Sequence, residues 1–307
     1  MSIESNKSST SAQSYVADPR NENVLVYING AFVPKSQAVV SVFDAGFALG
    51  DGVWEGLRLV KGKLVSVEQH IRRLFDGAKS IELDLGVTPA QMTQLIWDTL
   101  NKNQMIDGAH IRLMCTRGKK STPNQDPRFA LGTATIVIVA EYKVIDPASK
   151  KRGLTLFTST YRTSAPDVFD LRLNSHSRLN FIQALIQAIN AGADEALMLD
   201  PHGFVASCNS TNFCIVRDGE LWTSSGRYNF NGITHKTIKR LAAENNYTVF
   251  AGDYTLAEVY TADEAFITGT LGGITPVTKI DGKVIGDGQP GKLTAALASL
   301  YQDYIES

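Results

Sequence analysis

Long apolar runs are missing from this sequence, and so is an excess of charge of either sign. Its 307 residues carry 30 Lys and Arg against 31 Asp and Glu, a net charge of −1 with no basic run. Nucleic-acid binding calls for a concentrated positive surface, so that class is set aside, and no apolar stretch reaches membrane-spanning length. Cysteine is scarce: Cys115, Cys208 and Cys214 are too few, and odd in number, for a disulfide framework. Reduced thiols in the cytoplasm are the expectation. The opening MSIESNKSSTSAQSYVADPR has no apolar core of the signal-peptide kind, and residues 1–21 are expected to form a flexible tail.

An apolar content of 43% supports a sizeable core in one large domain or two ordinary ones. VLVYINGAFVP alternates apolar residues around Asn29 and Gly30, a hairpin signal, and LRLVKGKLVSV repeats the plan around Gly62. Ile71, Leu74, Phe75 and Ala78 then recur at helical spacing. Thr88 followed by Pro89 reads as the cap and first residue of a second helix. AHIRLMCTRG and ATIVIVAEY are strand-like, and the polar residues 119–131 between them have the composition of a long mobile loop. KVIDPASKKRG (143–153) has linker composition and divides the chain into a small domain over 22–145 and a larger one over 146–307. Strands cluster in the second part without a βαβ rhythm, so the expected class is α+β. Within it, LRLNSHSRLNFIQALIQAINAGADEA (171–196) reads as a short strand running into an amphipathic helix.

Three elements have the chemistry of an anion site. Gly232, Ile233 and Thr234 stand at a helix entry, where free N–H groups, a hydroxyl and the positive dipole end suit a phosphate. Thr268, Gly269 and Thr270 follow a strand, and a backbone turning there approaches an anion closely. Arg58 lies on an apolar strand, where its guanidinium needs a partner. Each has a plainer reading: a helix cap, a tight turn, and an ion pair of Arg58 with Glu55 or another carboxylate.

Taken in order, YINGAFVP, DAGFALGDGVWEGLRL, HIRRL, GADEALMLDPHGFVAS, NGITHKTI and FITGTLGGITPV resemble the fold-type IV pyridoxal-phosphate enzymes. These class IV aminotransferases include branched-chain aminotransferases, D-amino-acid transaminases, (R)-amine transaminases and aminodeoxychorismate lyase. The resemblance covers nearly the whole chain after the tail, and GDGVWEGLRL is closer to the D-amino-acid and (R)-amine pattern. It implies a two-domain α+β fold with a ligand cleft between the domains, a barrel-like core in the larger one, and a homodimer. It also implies pyridoxal or pyridoxamine phosphate as cofactor, no metal, and a small amino or 2-oxo acid as substrate. Carried over by residue, it makes Arg58 the phosphate arginine, with Gly232, Ile233 and Thr234 at the helix start and Thr270 opposite. His70 and Arg73 match a structural HxxRL, and the strand around Arg112 and Arg117 lies where relatives contact substrate.

Two positions depart from that pattern. Relatives carry a lysine bonded covalently to the cofactor, and an ungapped alignment from AINAGADEA brings it to Asn174, with no lysine between Lys151 and Lys236. Relatives also place a carboxylate against the pyridine nitrogen, where this chain has Ser207. Asn cannot form the covalent bond, and a hydroxyl supports a neutral ring nitrogen at best. Four accounts follow: non-covalent cofactor with His176 as base; a different anionic ligand among Asn174, His176, Ser207, Asn209 and Thr211, with Cys208 as nucleophile; a non-catalytic binding relative; or a lysine variant made to trap a complex. Loss of both positions argues against the last.

Overall fold

Asn29 and Gly30 both take positive φ, 46° and 93°, and close a hairpin between Leu25–Ile28 and Ala31–Pro34. Lys61 and Gly62 do the same at 47° and 78°, between Gly52–Val60 and Lys63–Leu64. The computed structural model describes residues 13–307, which divide into two units. The first comprises Ala17–Val144, Asp170–Leu179 and Asp303–Ser307, and the second is built from Ile145–Phe169 and Asn180–Gln302.

The first unit holds an antiparallel six-stranded sheet in the order Ala31–Pro34, Leu25–Ile28, Thr135–Tyr142, Ala109–Thr116, Gly52–Val60, Lys63–Leu64. Two helices accompany it, Val67–Ser80 and Pro89–Lys102. Thr88 caps the latter in a reciprocal box with Gln91, supplying two of the terminal N–H groups with acceptors. Leu57, Leu59, Leu74, Met92, Ile96, Ile111 and Leu113 join sheet and helices in one core. The alternation of Ala109–Thr116 is strict, with odd-numbered side chains buried and even-numbered ones half-buried. Arg112 therefore lies on the face opposite this core.

The second unit carries a nine-stranded mixed sheet. Its order is Val205–Cys208, Glu195–Leu199, Leu154–Thr158, Gly273–Ile280, Glu264–Gly269, Asn212–Arg217, Glu220–Ser224, Val249–Gly252, with Lys283–Val284 on Gly273–Ile280. Its two ends meet through Val205 N–H donating to Tyr254 O and Ser224 Oγ donating to Ala206 O, both at 2.9 Å. Leu156, Leu197, Phe213, Ile215 and Ile267 fill the interior of this curved sheet.

Three expectations meet different local structure. Residues 1–12 of the expected tail lie outside the described residues, whereas Tyr15–Val16 is a short strand and Pro19–Asn23 a 3-10 helix capped by Asp18. The segment read as a linker folds into the strand Val144–Ile145 and the helix Pro147–Arg152, because Asp146 caps the Ala148 N–H at 2.9 Å. The polar loop 119–131 wraps around Lys120, a residue 1% exposed whose ammonium donates to the carbonyls of Asn124 (2.5 Å) and Asp126 (2.9 Å).

Candidate active site

Asp170–Leu179 leaves the second unit in sequence and joins the first, beside the Gly52–Val60 strand. The expected strand at its centre shrinks to one bridge, Val53 with Ser175. Trp54 N–H donates to Asn174 O at 2.9 Å, His176 N–H to Gly52 O at 3.0 Å, and the Trp54 indole N–H to Ser175 O at 2.9 Å. Gly52 is required for this approach: a Cβ there would lie 2.5 Å from Cys115 O and 2.8 Å from His176 Cδ2. Asn174 is 4% exposed, and its carboxamide is engaged at both ends. Nδ2 donates to Trp54 O at 2.5 Å, and Oδ1 accepts from the Arg178 guanidinium, whose Nε also donates to Ser175 O at 3.1 Å.

Cations gather around this segment. The Arg112 guanidinium stacks 3.3 Å from the centre of the Trp54 ring, and that of Arg178 stands 5.6 Å from it. Burial pushes Arg112 down to about 10, against the pull of Glu55. Burial, then repulsion from Arg112 and Arg73, also brings Arg178 to about 10. Glu55 is fully buried and is shared by Arg73, through Nε and Nη2 at 2.7 Å, and by His70 Nδ1 at 2.7 Å. Burial acts to raise its carboxyl, and the hydrogen bonds from Arg73 and His70 outweigh it and hold it below the usual range. This is where HIRRL points: both its His and its second Arg bind one carboxylate. Glu55→Ala leaves the half-buried Arg73 guanidinium and the buried His70 ring without their shared partner and is expected to cost about 3–5 kcal/mol in urea unfolding. A loss under about 1 kcal/mol would mean that Arg73 and His70 are satisfied elsewhere.

His176 lies in the same cluster. Burial first, then Arg112, depress it to about 4 against a hydrogen bond with the Val53 backbone and the charge of Asp44, so its imidazole is neutral at pH 7. Its Nε2 is buried and has no hydrogen-bond partner. Arg58 belongs to this unit as well, standing opposite His110 in the ladder. Its ion pair with Glu55, one of the plainer readings, is not among the acceptances of that carboxylate, which are from Arg73 and His70.

The second unit holds the other predicted residues. The helix Ile233–Glu244 starts at Gly232, which caps it with no side chain. A Cβ on Gly232 would lie 2.4 Å from Asn212 Oδ1, so a larger residue there must displace the buried Asn212 carboxamide, whose Nδ2 donates to Phe230 O at 2.7 Å. Ile233 and Thr234 are buried in its first turn, and the Thr234 hydroxyl is 3.5 Å from that of Tyr301. Thr270 is half-buried in the tight turn where Gly269 pairs with Gly273. Thr268, noted only as part of that turn, has a buried Oγ1 without a partner. Ser207 is 4% exposed and donates its hydroxyl to Thr211 O at 2.7 Å. Cys208 is an inert packing thiol, since burial drives its pKa well above the ordinary value and keeps it protonated; the nucleophile account loses its residue.

Thus Gly232, Ile233, Thr234, Thr270 and Ser207 share one unit, and Arg58, Asn174 and His176 share the other. Sequence reasoning missed Arg178 and Trp54. The four-residue step from Asn174 to Arg178 was readable, but the pairing of Gly56 with Arg112 that stacks Arg112 on Trp54 is a strand register with no local signal.

Comparison with known proteins gives a consistent picture. The model of the amino-transferase class IV family matches residues 52–280. Branched-chain-amino-acid aminotransferase-like protein 2 of Arabidopsis thaliana is 39% identical over 286 residues, covering 92% of this chain and 51% of the relative. The chain thus spans about half the length of that relative and of the related protein 1, of which it covers 52%. A branched-chain-amino-acid aminotransferase of Pseudomonas aeruginosa is 31% identical, covering 92% of each chain. A solved branched-chain amino acid aminotransferase from T.th., with pyridoxamine 5'-phosphate, superposes with a TM-score of 0.86 at 28% identity, covering 92% of this chain and 93% of that one. The fold is the fold-type IV aminotransferase fold, with the α+β content expected.

Proposed function

The chain belongs to the class IV aminotransferase family, and from that premise we propose that it acts on a small amino or 2-oxo acid with pyridoxal or pyridoxamine phosphate held without a covalent bond. When bound, such a group supplies the electron sink that amino-group transfer requires. The residues fit its two ends differently. At the phosphate end, the side-chain-free helix start at Gly232 and the partnerless Thr268 hydroxyl suit an anion, with first-turn N–H groups and the Thr234 and Thr270 hydroxyls as further donors. Arg58 is the charged contribution that the resemblance implies. At the covalent end the fit fails, because Asn174 has no amine and Ser207 has no charge for a ring nitrogen. No chemical step is therefore routed through a covalent bond at this position.

One observation carries the reading: the Asn174 carboxamide is satisfied at both ends by Trp54 O and Arg178. His176 takes a narrower part than a base. An imidazole with a pKa of about 4 is a weak proton acceptor at neutral pH, and its buried Nε2 is suited to receive a hydrogen bond from a ligand N–H or O–H. The same locked contacts of Asn174 and Ser207 favour a second reading, a non-catalytic ligand-binding protein or a cofactor-independent enzyme on this scaffold. The homodimer belongs to the proposal too, supported by Val39, Val42 and Phe47, which are 76%, 67% and 70% exposed. Among the described residues no helix is long and apolar enough to cross a membrane.

The test is amino-acid formation from a panel of 2-oxo acids by protein loaded with pyridoxamine phosphate, followed by mass spectrometry. Conversion supports the enzyme; tight cofactor binding without conversion selects the binding protein. Gly232→Ala forces its Cβ against Asn212 Oδ1 and is expected to weaken pyridoxamine phosphate binding about tenfold or more by calorimetry, roughly 1.4 kcal/mol. Unchanged affinity in a folded variant would remove the helix start from the site.

A further inference from the structure

Arg178 and Arg112 are brought together by the contacts of Asn174 and Trp54. Asn174 hands its carbonyl oxygen to Arg178, four residues on, and its amide N–H to the Trp54 carbonyl. The Trp54 ring then carries Arg112 at 3.3 Å and Arg178 at 5.6 Å from its centre. Like charges held this close in a half-buried setting repel, and the structure keeps them there. The carboxylate that opposes both, Glu55, already accepts from Arg73 through both oxygens and from His70. The Arg112 guanidinium lies over the indole, and among the described residues it donates no hydrogen bond to a protein acceptor. A guanidinium taken out of water with its donors unmet is costly unless a ligand meets them. Close by, His176 Nε2 is a buried neutral acceptor without a donor.

We propose that Arg112 and Arg178, braced on Trp54, form a seat for a compact oxyanion, a carboxylate or a phosphate, and that Asn174 is the positioning residue that aims Arg178 into it. The position where relatives bond their cofactor covalently then serves attraction by charge. Asn is suited to the task because its carboxamide accepts from Arg178 without neutralising it. Aspartate in the same shape would pair with the guanidinium and quench the field. The inference deepens the functional reading above and rests on it only for identifying the anion with the substrate's carboxylate.

The experiment is calorimetric titration of the cofactor-free, full-length protein with malonate and, separately, inorganic phosphate, in chloride-free buffer. The seat predicts saturable binding of at least one probe; malonate alone identifies a carboxylate seat and phosphate alone a phosphate seat. Asn174→Asp, nearly isosteric, keeps the Arg178 contact but gives up the hydrogen bond to Trp54 O, and it is expected to lower affinity tenfold or more in a protein that still unfolds cooperatively. Arg112→Gln is expected to abolish binding, and Arg112→Lys to retain part of it. Absence of binding by the wild type at about 10 mM, or unchanged affinity in both Asn174→Asp and Arg112→Gln, overturns the proposal; at millimolar Kd the expected tenfold loss remains within the method's range. Probe binding in a protein that converts no 2-oxo acid would defeat the functional reading and leave the seat standing. Conversion with unaltered rates and KM in both variants would do the reverse.

Discussion

Mixed with equimolar pyridoxal phosphate and reduced with borohydride, the protein is expected to emerge without a covalent adduct between residues 152 and 235, a stretch with no lysine. Asn174→Lys is expected to reverse this outcome and approach one adduct per chain. The introduced amine enters a largely buried place beside Arg112 and Arg178, and both burial and like charge lower its pKa, leaving more of it as the neutral nucleophile. The change has a structural cost, since the Trp54 carbonyl and the Arg178 guanidinium each lose their carboxamide partner. About 1–3 kcal/mol for the Trp54 carbonyl left without this donor predicts a lower melting temperature in the variant that gains labelling. Peptide mapping by mass spectrometry reads both results. Stoichiometric labelling of the wild type at a single lysine, suppressed by Gly232→Ala, would mean that another lysine reaches the cofactor and that Asn174 is not at the covalent position.

Local elements were legible where one residue type has one strong preference. Asn29–Gly30, Gly62 and Thr88–Pro89 folded as their conformational preferences dictate, and the helix at Gly232 begins at the glycine. The family followed from several motifs in order, and its model and its fold are both found in this chain. Illegible were features that depend on what lies across a sheet or a chain return. Lys120 looks like one charge in a polar loop, yet it is buried at that loop's centre, because the carbonyls it needs come from residues four and six positions on. Asp170–Leu179 follows the 143–153 segment in sequence, yet it belongs to the first unit, and only its hydrogen bonds to Gly52 and Trp54 reveal this. For the same reason Asn174 read as a missing lysine, whereas the structure also gives it partners.

Acid is expected to unfold the protein early, through histidines buried in the neutral form. Burial, first among the causes, depresses His110 to about 3, His176 to about 4 and His235 to about 3, with nearby lysines and arginines adding to it. An unfolded histidine titrates near 6.5, so between about pH 6.5 and 4 the unfolded chain binds protons that the folded chain refuses. Stability therefore falls as pH drops through that window, and above it these histidines cost nothing in charge. His235, 3% exposed and bonded to Thr223 Oγ1 at 3.0 Å, gives a slope of about 1.4 kcal/mol per pH unit. The half-buried His110 and His176 add up to about twice that between them. Glu55 works in the same direction lower down: its depressed carboxyl stabilises the fold above the ordinary glutamate value, and that contribution goes as pH falls. Against a total of about 5–15 kcal/mol, two units of such a slope are enough to reach the unfolding transition near pH 4–5. Urea midpoints at pH 7.5, 6 and 5 measure the slope, and His235→Gln, which cannot take up the proton, is expected to flatten it by about a third. A slope untouched by His235→Gln and by His110→Asn would move the acid sensitivity onto the carboxylates, with Glu55 as the first to replace.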